Sequence, residues 1–166
     1  INRSYWDWKS QIGMNKDGWF PYTPATNLLY GLNEACDMMM EEGLENVFSR
    51  HERFAEATRR AVRTWGLEVL CQSADEYSPV LTAVVMPDGH NADTYRATVL
   101  DKFDMSLGSG LGKVAGKVFR IGHLGYFNDL MLMGTLSGVE MGFAVAGVPH
   151  KKGGAQAAME YLTGNA

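Results

Sequence analysis

Residues 44–66 restrict the possible folds of this chain more than any other segment. Apolar side chains recur along it every three or four residues for about six helical turns, while arginines and glutamates fill the opposite side. This pattern predicts one long amphipathic helix that ends at Gly66. Because such a helix must bury its apolar side, the chain needs a second layer that packs against it.

The segment before this helix is predicted to be part loop and part helix. Residues 1–23 are polar and aromatic, with glycines and a proline, and predict an irregular N-terminal loop. A helix is predicted from Pro24 to about residue 43, with Thr23 as its N-cap. The apolar residues of this segment recur at helical spacing, which supports this prediction.

The segment after the amphipathic helix predicts a small sheet with further helices. Strands are predicted over residues 67–70, 80–86, 104–108 and 117–122. Helices are predicted from an N-cap at Asn91 or Asp93 to about Phe103, after Asn128 and over about residues 154–163. Long helices packed on a small sheet indicate the α/β fold class, in an α+β-like form.

Charge and cysteine content exclude several classes of function. The 166 residues carry a net charge of −4, which disfavours a nucleic-acid partner, because phosphates require a basic surface. The two cysteines, Cys36 and Cys71, form no CxxC pair, which argues against a zinc site. They are typical of a reducing compartment, so a cytoplasmic location is expected.

Residues 130–149 are long and apolar enough to cross a bilayer. Glu140 lies near the middle of this segment, where a charge costs about 3 kcal/mol on insertion scales. A buried helix that packs its glycines closely against neighbours is therefore predicted, and no membrane partner is expected.

The glycine loop at residues 110–115, GLGKVA, satisfies the GxGxxA form of the dinucleotide fingerprint. That fingerprint needs a strand before it and a helix after it, so that the helix N-terminus faces the pyrophosphate. Here a predicted strand follows, so the loop predicts a turn and not a nucleotide site.

Arg120 lies in the predicted strand over residues 117–122. Alternation along a strand places Val118 and Arg120 on one face and residues 117, 119 and 121 on the other. An arginine here is either an exposed edge residue or a fork for a carboxylate, which arginine can bind through two parallel hydrogen bonds. The pattern leaves both alternatives open.

Thr23 and the histidines are the remaining polar candidates. Thr23 offers a hydroxyl at a predicted helix start, where amide groups favour phosphate, although an N-cap role alone also explains it. His51 falls on the apolar side of the long helix and is predicted to be a packing residue. His123 is the only histidine close in sequence to a candidate site residue, and the four histidines show no metal-ligand spacing.

Two long segments carry a resemblance to a known family. They are WFPYTPATNLLYGLNEACDMMMEEGLENVFSRHERFAEATRRAV and SLGSGLGKVAGKVFRIGHLGYFNDLMLMGTLSGVEMG. Both resemble the C-terminal part of the serine–glyoxylate aminotransferases, which are class V, fold-type I, pyridoxal-phosphate (PLP) enzymes, as are the alanine–glyoxylate aminotransferases. The resemblance extends over about residues 6–162.

The resemblance implies a homodimeric enzyme that transfers the amino group of serine or alanine to glyoxylate, giving glycine and hydroxypyruvate or pyruvate. It assigns Arg120 to the substrate α-carboxylate and Thr23 to the PLP phosphate held by the other protomer. The family's neighbouring phosphate-binding tyrosine aligns with Phe20, so this chain lacks that hydroxyl. Whether Tyr22 replaces it is left open.

The resemblance also implies that the catalytic lysine, which forms a Schiff base with PLP, belongs to a domain that precedes Ile1. None of the seven lysines in this sequence lies in the family's lysine motif. The expected division is an N-terminal loop over residues 1–23, interdomain helices over 24–66 and an α/β small domain over 67–166. This part alone is expected to hold no catalytic residue and to be inactive.

Two alternatives remain open at this stage. One is another class V enzyme that acts on a different small amino acid. The other is a stand-alone α/β module that binds small amino or keto acids without catalysis.

Overall fold

The computed structural model describes residues 4–164, which form six α-helices and four short strands. The helices are α1 (Trp8–Asn15), α2 (Thr26–Glu42), α3 (Leu44–Trp65), α4 (Ala92–Phe103), α5 (Asp129–Ala146) and α6 (Gly154–Gly164). The strands are β1 (Glu68–Val69), β2 (Leu81–Val85), β3 (Gly108–Ser109) and β4 (Val118–Gly122). The chain divides into two compact units, Ile1–Leu44 and Glu45–Ala166.

The first unit contains a helix where only an irregular loop was predicted. Residues 8–15 form α1, and the Asp7 carboxylate caps it by accepting a hydrogen bond from the Lys9 amide at 3.0 Å. Since α1 buries none of its residues, it has no apolar periodicity that could have marked it in the sequence. Residues 1–3 of the predicted loop lie outside the described residues.

The predicted N-cap role of Thr23 is wrong, because α2 begins at Thr26. Ala25 has φ −74° and ψ 73°, and the Thr26 amide donates to the Pro24 carbonyl at 2.9 Å. These values describe an inverse γ-turn, which moves the helix start past the proline. Gly43 ends α2 with a φ of +85°, as the sequence predicted.

The core of the second unit confirms the long amphipathic helix. α3 spans nearly the predicted segment and buries one side, including Phe54, Val62 and Trp65. This side packs in one cluster with buried residues of the sheet and of the other three helices: Val84, Tyr95, Val99, Phe119, Ile121, Leu132, Leu136, Val139, Phe143, Ala158 and Leu162.

The sheet of the second unit is antiparallel throughout, with the strand order β1-β2-β4-β3. Val84 and Phe119 are paired across β2 and β4, are fully buried and belong to the helix-covered core. Ala83 and Arg120 form the next pair, and alternation turns them to the opposite face. Helices packed on one face of a small sheet confirm the predicted fold class.

The strand predicted over residues 104–108 is wrong in position, since β3 begins only at Gly108. Asp104 ends α4 in the left-handed conformation, with φ 51°. The Leu107 carbonyl accepts a hydrogen bond from Arg96 Nε at 2.7 Å. These local contacts occupy the residues between α4 and the sheet, so pairing with β4 starts later.

Helix α5 is the one helix within residues 4–164 that is long and apolar enough to cross a membrane by length and composition. One side of it is buried in the core of the second unit, and Gly142 lies against α4 so closely that a Cβ there would be 2.5 Å from Val99 Cγ2. Glu140 accepts hydrogen bonds from Trp65 and from two amides near the start of α6. The predicted close packing is confirmed at Gly142, but not at Gly134, where a Cβ would meet nothing within 4 Å. The lack of a membrane partner stays a prediction.

Candidate functional site

Arg120 lies at the centre of β4, with a small residue beside it on each neighbouring strand. Its register partners are Ala83 on β2 and Gly108 on β3. Because β4 is a central strand of the sheet, the alternative that Arg120 is an exposed edge residue is wrong. The side chain is half-buried and points to the face that the core helices leave free.

The guanidinium of Arg120 has no partner among residues 4–164. It makes no hydrogen bond or ion pair with them, and its Nε atom is buried without an acceptor. The two terminal nitrogens are not among the buried atoms, so they are accessible to solvent. An unpaired guanidinium between two small residues can bind a planar carboxylate through two hydrogen bonds.

The structure does not bring His123 to the same face as Arg120. His123 is fully buried, and its Nε2 lies 3.0 Å from the hydroxyl of Thr82 on the helix-covered side of the sheet. Burial, with a smaller contribution from the charge of Arg59, lowers the pKa of His123 to about 4. The imidazole is therefore neutral near pH 7 and packs in the core.

His51 is buried on α3, as the apolar pattern predicted, and it also holds the loop that follows β4. Its Nδ1 lies 2.7 Å from the Val47 carbonyl, and its Nε2 accepts from the Gly125 amide at 3.1 Å. Arg50 donates to the Gly125 and Phe127 carbonyls at 2.9 and 3.2 Å. No sequence pattern indicates this link, because its partners are backbone atoms about 75 residues away.

Thr23 belongs to the first unit and is exposed, and its hydroxyl has no hydrogen-bond partner among the described residues. The Tyr22 hydroxyl accepts a hydrogen bond from Gln11, and the Tyr22 ring stacks on Tyr5 with centroids 5.5 Å apart. Phe20 is 41% exposed and has no hydroxyl to offer. Thr23 and Arg120 belong to different units of the chain.

A cleft of about 500 Å³ among the described residues does not include Arg120. Glu56, Arg59 and Tyr77 line it, and the Arg59 guanidinium lies 4.8 Å from the Tyr77 ring centroid. Burial alone would raise the pKa of Glu56, but hydrogen bonds and charges from Arg60, Arg63 and Arg59 bring it below its ordinary value. The charges in this cleft are therefore largely paired.

Comparison with individual known sequences shows the family to which the chain belongs. No protein-family model matches it. Over 166 residues, which are 99% of the chain, it is 46% identical to a serine–glyoxylate aminotransferase of Methylorubrum extorquens. The chain belongs to the serine–glyoxylate aminotransferase family. A serine–glyoxylate aminotransferase from Arabidopsis thaliana is 46% identical over 95% of the chain, and an L-aspartate–glyoxylate aminotransferase of Paracoccus denitrificans is 42% identical over 97%.

This member of the serine–glyoxylate aminotransferase family spans only 40–41% of the length of these relatives and corresponds to their C-terminal part. Two solved structures of aminotransferases also match the chain. A ureidoglycine–glyoxylate aminotransferase of Bacillus subtilis matches 98% of the chain with a TM-score of 0.85 and 29% identity. A pyridoxamine–pyruvate aminotransferase of Mesorhizobium loti matches 91% with a TM-score of 0.84 and 33% identity. The predicted family and the fold of its C-terminal domain are therefore confirmed, and the family is one of PLP-dependent aminotransferases.

Proposed function

We propose that the full-length protein transfers the amino group of serine or alanine to glyoxylate, giving glycine and hydroxypyruvate or pyruvate. The activities of the similar proteins, all of them glyoxylate aminotransferases, support glyoxylate as the acceptor. The observation that carries the proposal is the unpaired guanidinium of Arg120 on the free face of the sheet.

Arg120 would hold the carboxylate that amino donor and keto acceptor have in common. This carboxylate does not react, so a fork that fixes it also fixes the direction of the neighbouring Cα bonds. The small neighbours Ala83 and Gly108 leave room for such a ligand beside the guanidinium. One residue can therefore serve both halves of an amino transfer.

Two residues of this chain fit a secondary role in binding PLP, as contacts to its phosphate. Thr23 offers an exposed hydroxyl without a partner, which suits one oxygen of the cofactor phosphate. When bound, PLP supplies the electron sink that makes the Cα–H bond of the amino acid acidic. Tyr22 is a weaker candidate for the phosphate, since its hydroxyl already bonds Gln11.

We further propose that the enzyme works as a homodimer in the cytoplasm. Large apolar side chains of the first unit support a covered surface, because Trp8 is 77% exposed, Trp19 69% and Tyr30 77%. The free thiols of Cys36 and Cys71 support a reducing compartment. The net charge of −4 supports small-molecule substrates over nucleic acid.

The test is the steady-state kinetics of the full-length enzyme with serine or alanine as donor and glyoxylate as acceptor. Arg120→Lys replaces a two-pronged contact by a point charge and loses about one charge-assisted hydrogen bond. We expect kcat/KM to fall about 10- to 100-fold for donor and acceptor alike. The control is Arg63→Lys, a half-exposed arginine on α3 that pairs with Glu56.

An unchanged kcat/KM in Arg120→Lys would refute the carboxylate role. Binding of serine and glyoxylate by the full-length protein without any amino transfer would instead support the non-catalytic α/β module. A clear preference between serine and alanine would settle the donor.

A further inference from the structure

Gly108 lies directly opposite Arg120 in the pairing of β3 with β4. A Cβ atom built on Gly108 would lie 3.0 Å from Arg120 Cβ and 3.2 Å from Arg120 Nε. The third nearest atom, at 3.4 Å, is the carbonyl oxygen of Arg120. The three nearest neighbours of the missing side chain therefore all belong to Arg120.

The backbone at residue 108 does not itself require glycine. Gly108 is absent from the described glycines with positive φ, so an L-amino acid can adopt its conformation. Gly110 differs, because a Cβ there would lie 2.2 Å from the Val114 carbonyl oxygen and would disrupt the turn before β4. Two of the three nearest atoms belong to the Arg120 side chain, so a side chain at residue 108 would compete with it for the same space.

That space controls how Arg120 lies on the sheet. Its Nε atom is buried next to Gly108, while its terminal nitrogens remain accessible. The direction of the Cδ–Nε bond largely determines where the fork of terminal nitrogens points. Ala83, the other small neighbour of Arg120, lies on β2, which is on the opposite side of β4 from Gly108.

We infer that Gly108 is a positioning residue for substrate, because its missing side chain lets Arg120 lie against β3 with its guanidinium aimed at the carboxylate. This inference rests on the proposed role of Arg120. A methyl group at residue 108 would lie too close to Arg120 Cβ and Nε, so the strands would have to separate by a few tenths of an ångström or the Arg120 side chain adopt another rotamer. The carboxylate would then lose the alignment of its two hydrogen bonds.

The experiment uses the full-length holoenzyme and an unreactive probe, α-methylserine, which carries the carboxylate but no Cα–H. We expect Gly108→Ala to raise the dissociation constant of the probe about tenfold and the KM of serine and glyoxylate in parallel. Gly134→Ala is the control, because a Cβ on this α5 residue would meet nothing within 4 Å. Thermal unfolding is measured for both variants, and we expect both to remain folded.

A double-mutant cycle with Arg120→Met separates positioning from a general structural effect. If Gly108 acts through Arg120, adding Gly108→Ala to Arg120→Met leaves the affinity for the probe unchanged. Equal losses in both backgrounds would overturn the inference, as would a Gly108→Ala protein that does not fold, since the glycine would then serve the sheet.

The cycle also distinguishes failure of the inference from failure of the proposed function. If Arg120→Met weakens probe binding while Gly108→Ala behaves like Gly134→Ala, only the positioning role is refuted. If Arg120→Met leaves the affinity unchanged, the carboxylate role of Arg120 fails and the role of Gly108 fails with it.

Discussion

Replacing Glu140 by glutamine should destabilise the protein, because its carboxylate joins three elements of the second unit. One oxygen accepts the Gly153 amide at 2.6 Å, and the other accepts the Ala155 amide and the Trp65 indole N–H, both at 2.9 Å. The residue lies on α5, the indole ends α3, and the two amides flank the first residue of α6. Glu140, a charged residue within the apolar helix α5, thus caps the N-terminus of α6.

The size of the effect follows from these three donors. Glutamine has one carbonyl oxygen, and its NH₂ group would face at least one of the N–H donors, so at least one charge-assisted hydrogen bond is lost, about 1.5–3 kcal/mol. Removing a negative charge from the N-terminus of α6 adds about 0.3–1 kcal/mol. We therefore expect Glu140→Gln to lower the free energy of unfolding by about 2–4 kcal/mol, which combines these two contributions.

The assay is denaturant unfolding of wild type and Glu140→Gln across a range of pH. Burial alone would raise the pKa of Glu140, but hydrogen bonds from the Ala155 and Gly153 amides and the Trp65 indole bring it below its ordinary value of 4.5. A carboxyl pKa lowered by folding gives stability that is present above the unfolded pKa and is lost as pH falls through the folded one. The difference between the two proteins should therefore shrink below about pH 4.5.

The matched control is Glu160→Gln, an exposed glutamate on α6 whose carboxylate accepts a hydrogen bond from the Gln156 side chain. It should change the free energy of unfolding by less than about 0.5 kcal/mol. If Glu140→Gln is as stable as this control near pH 7, or if its deficit does not depend on acid pH, the capping account of Glu140 is refuted.

Two further predictions concern His123 and Thr23. The His123 ring should titrate near pH 4 by NMR, and titration near 6.5 would contradict this. Because the histidine of the unfolded chain takes up its proton first, the free energy of unfolding should drop as pH falls from about 6.5. The variant His123→Asn should remove this pH dependence. Thr23→Ala should weaken PLP binding by the full-length enzyme about tenfold, through loss of one hydrogen bond to phosphate, while Thr23→Ser retains it. A changed donor preference with normal PLP affinity would count against that role.

The elements that were predictable from sequence are those whose pattern is local and strong. α3 follows from one apolar side sustained over 22 residues, and α4 and α5 begin where the side chains of Asn91 and Asn128 accept amide hydrogen bonds. Arg120 was identifiable because a cation stood out among the apolar residues of a predicted strand. Its proposed role still needed the family resemblance, because the strand pattern alone left two alternatives.

The elements that were missed depend on contacts that a local pattern does not encode. α1 buries none of its residues, so only its Asp7 cap could have revealed it. The start of α2 is moved by an inverse γ-turn at Ala25, and the start of β3 by the left-handed Asp104. The role of Gly108 became visible only when the register placed it beside Arg120, some 12 residues later in the chain.

The most direct test of the central claim compares a carboxylate with its uncharged amide. The dissociation constants of α-methylserine and α-methylserinamide are measured for full-length wild-type holoenzyme and for Arg120→Met. We predict that wild type prefers the acid by about 10- to 100-fold, as expected for a two-pronged charge-assisted contact, and that the variant loses this preference. An equal preference in both proteins would contradict the claim that Arg120 recognises the carboxylate of the substrate.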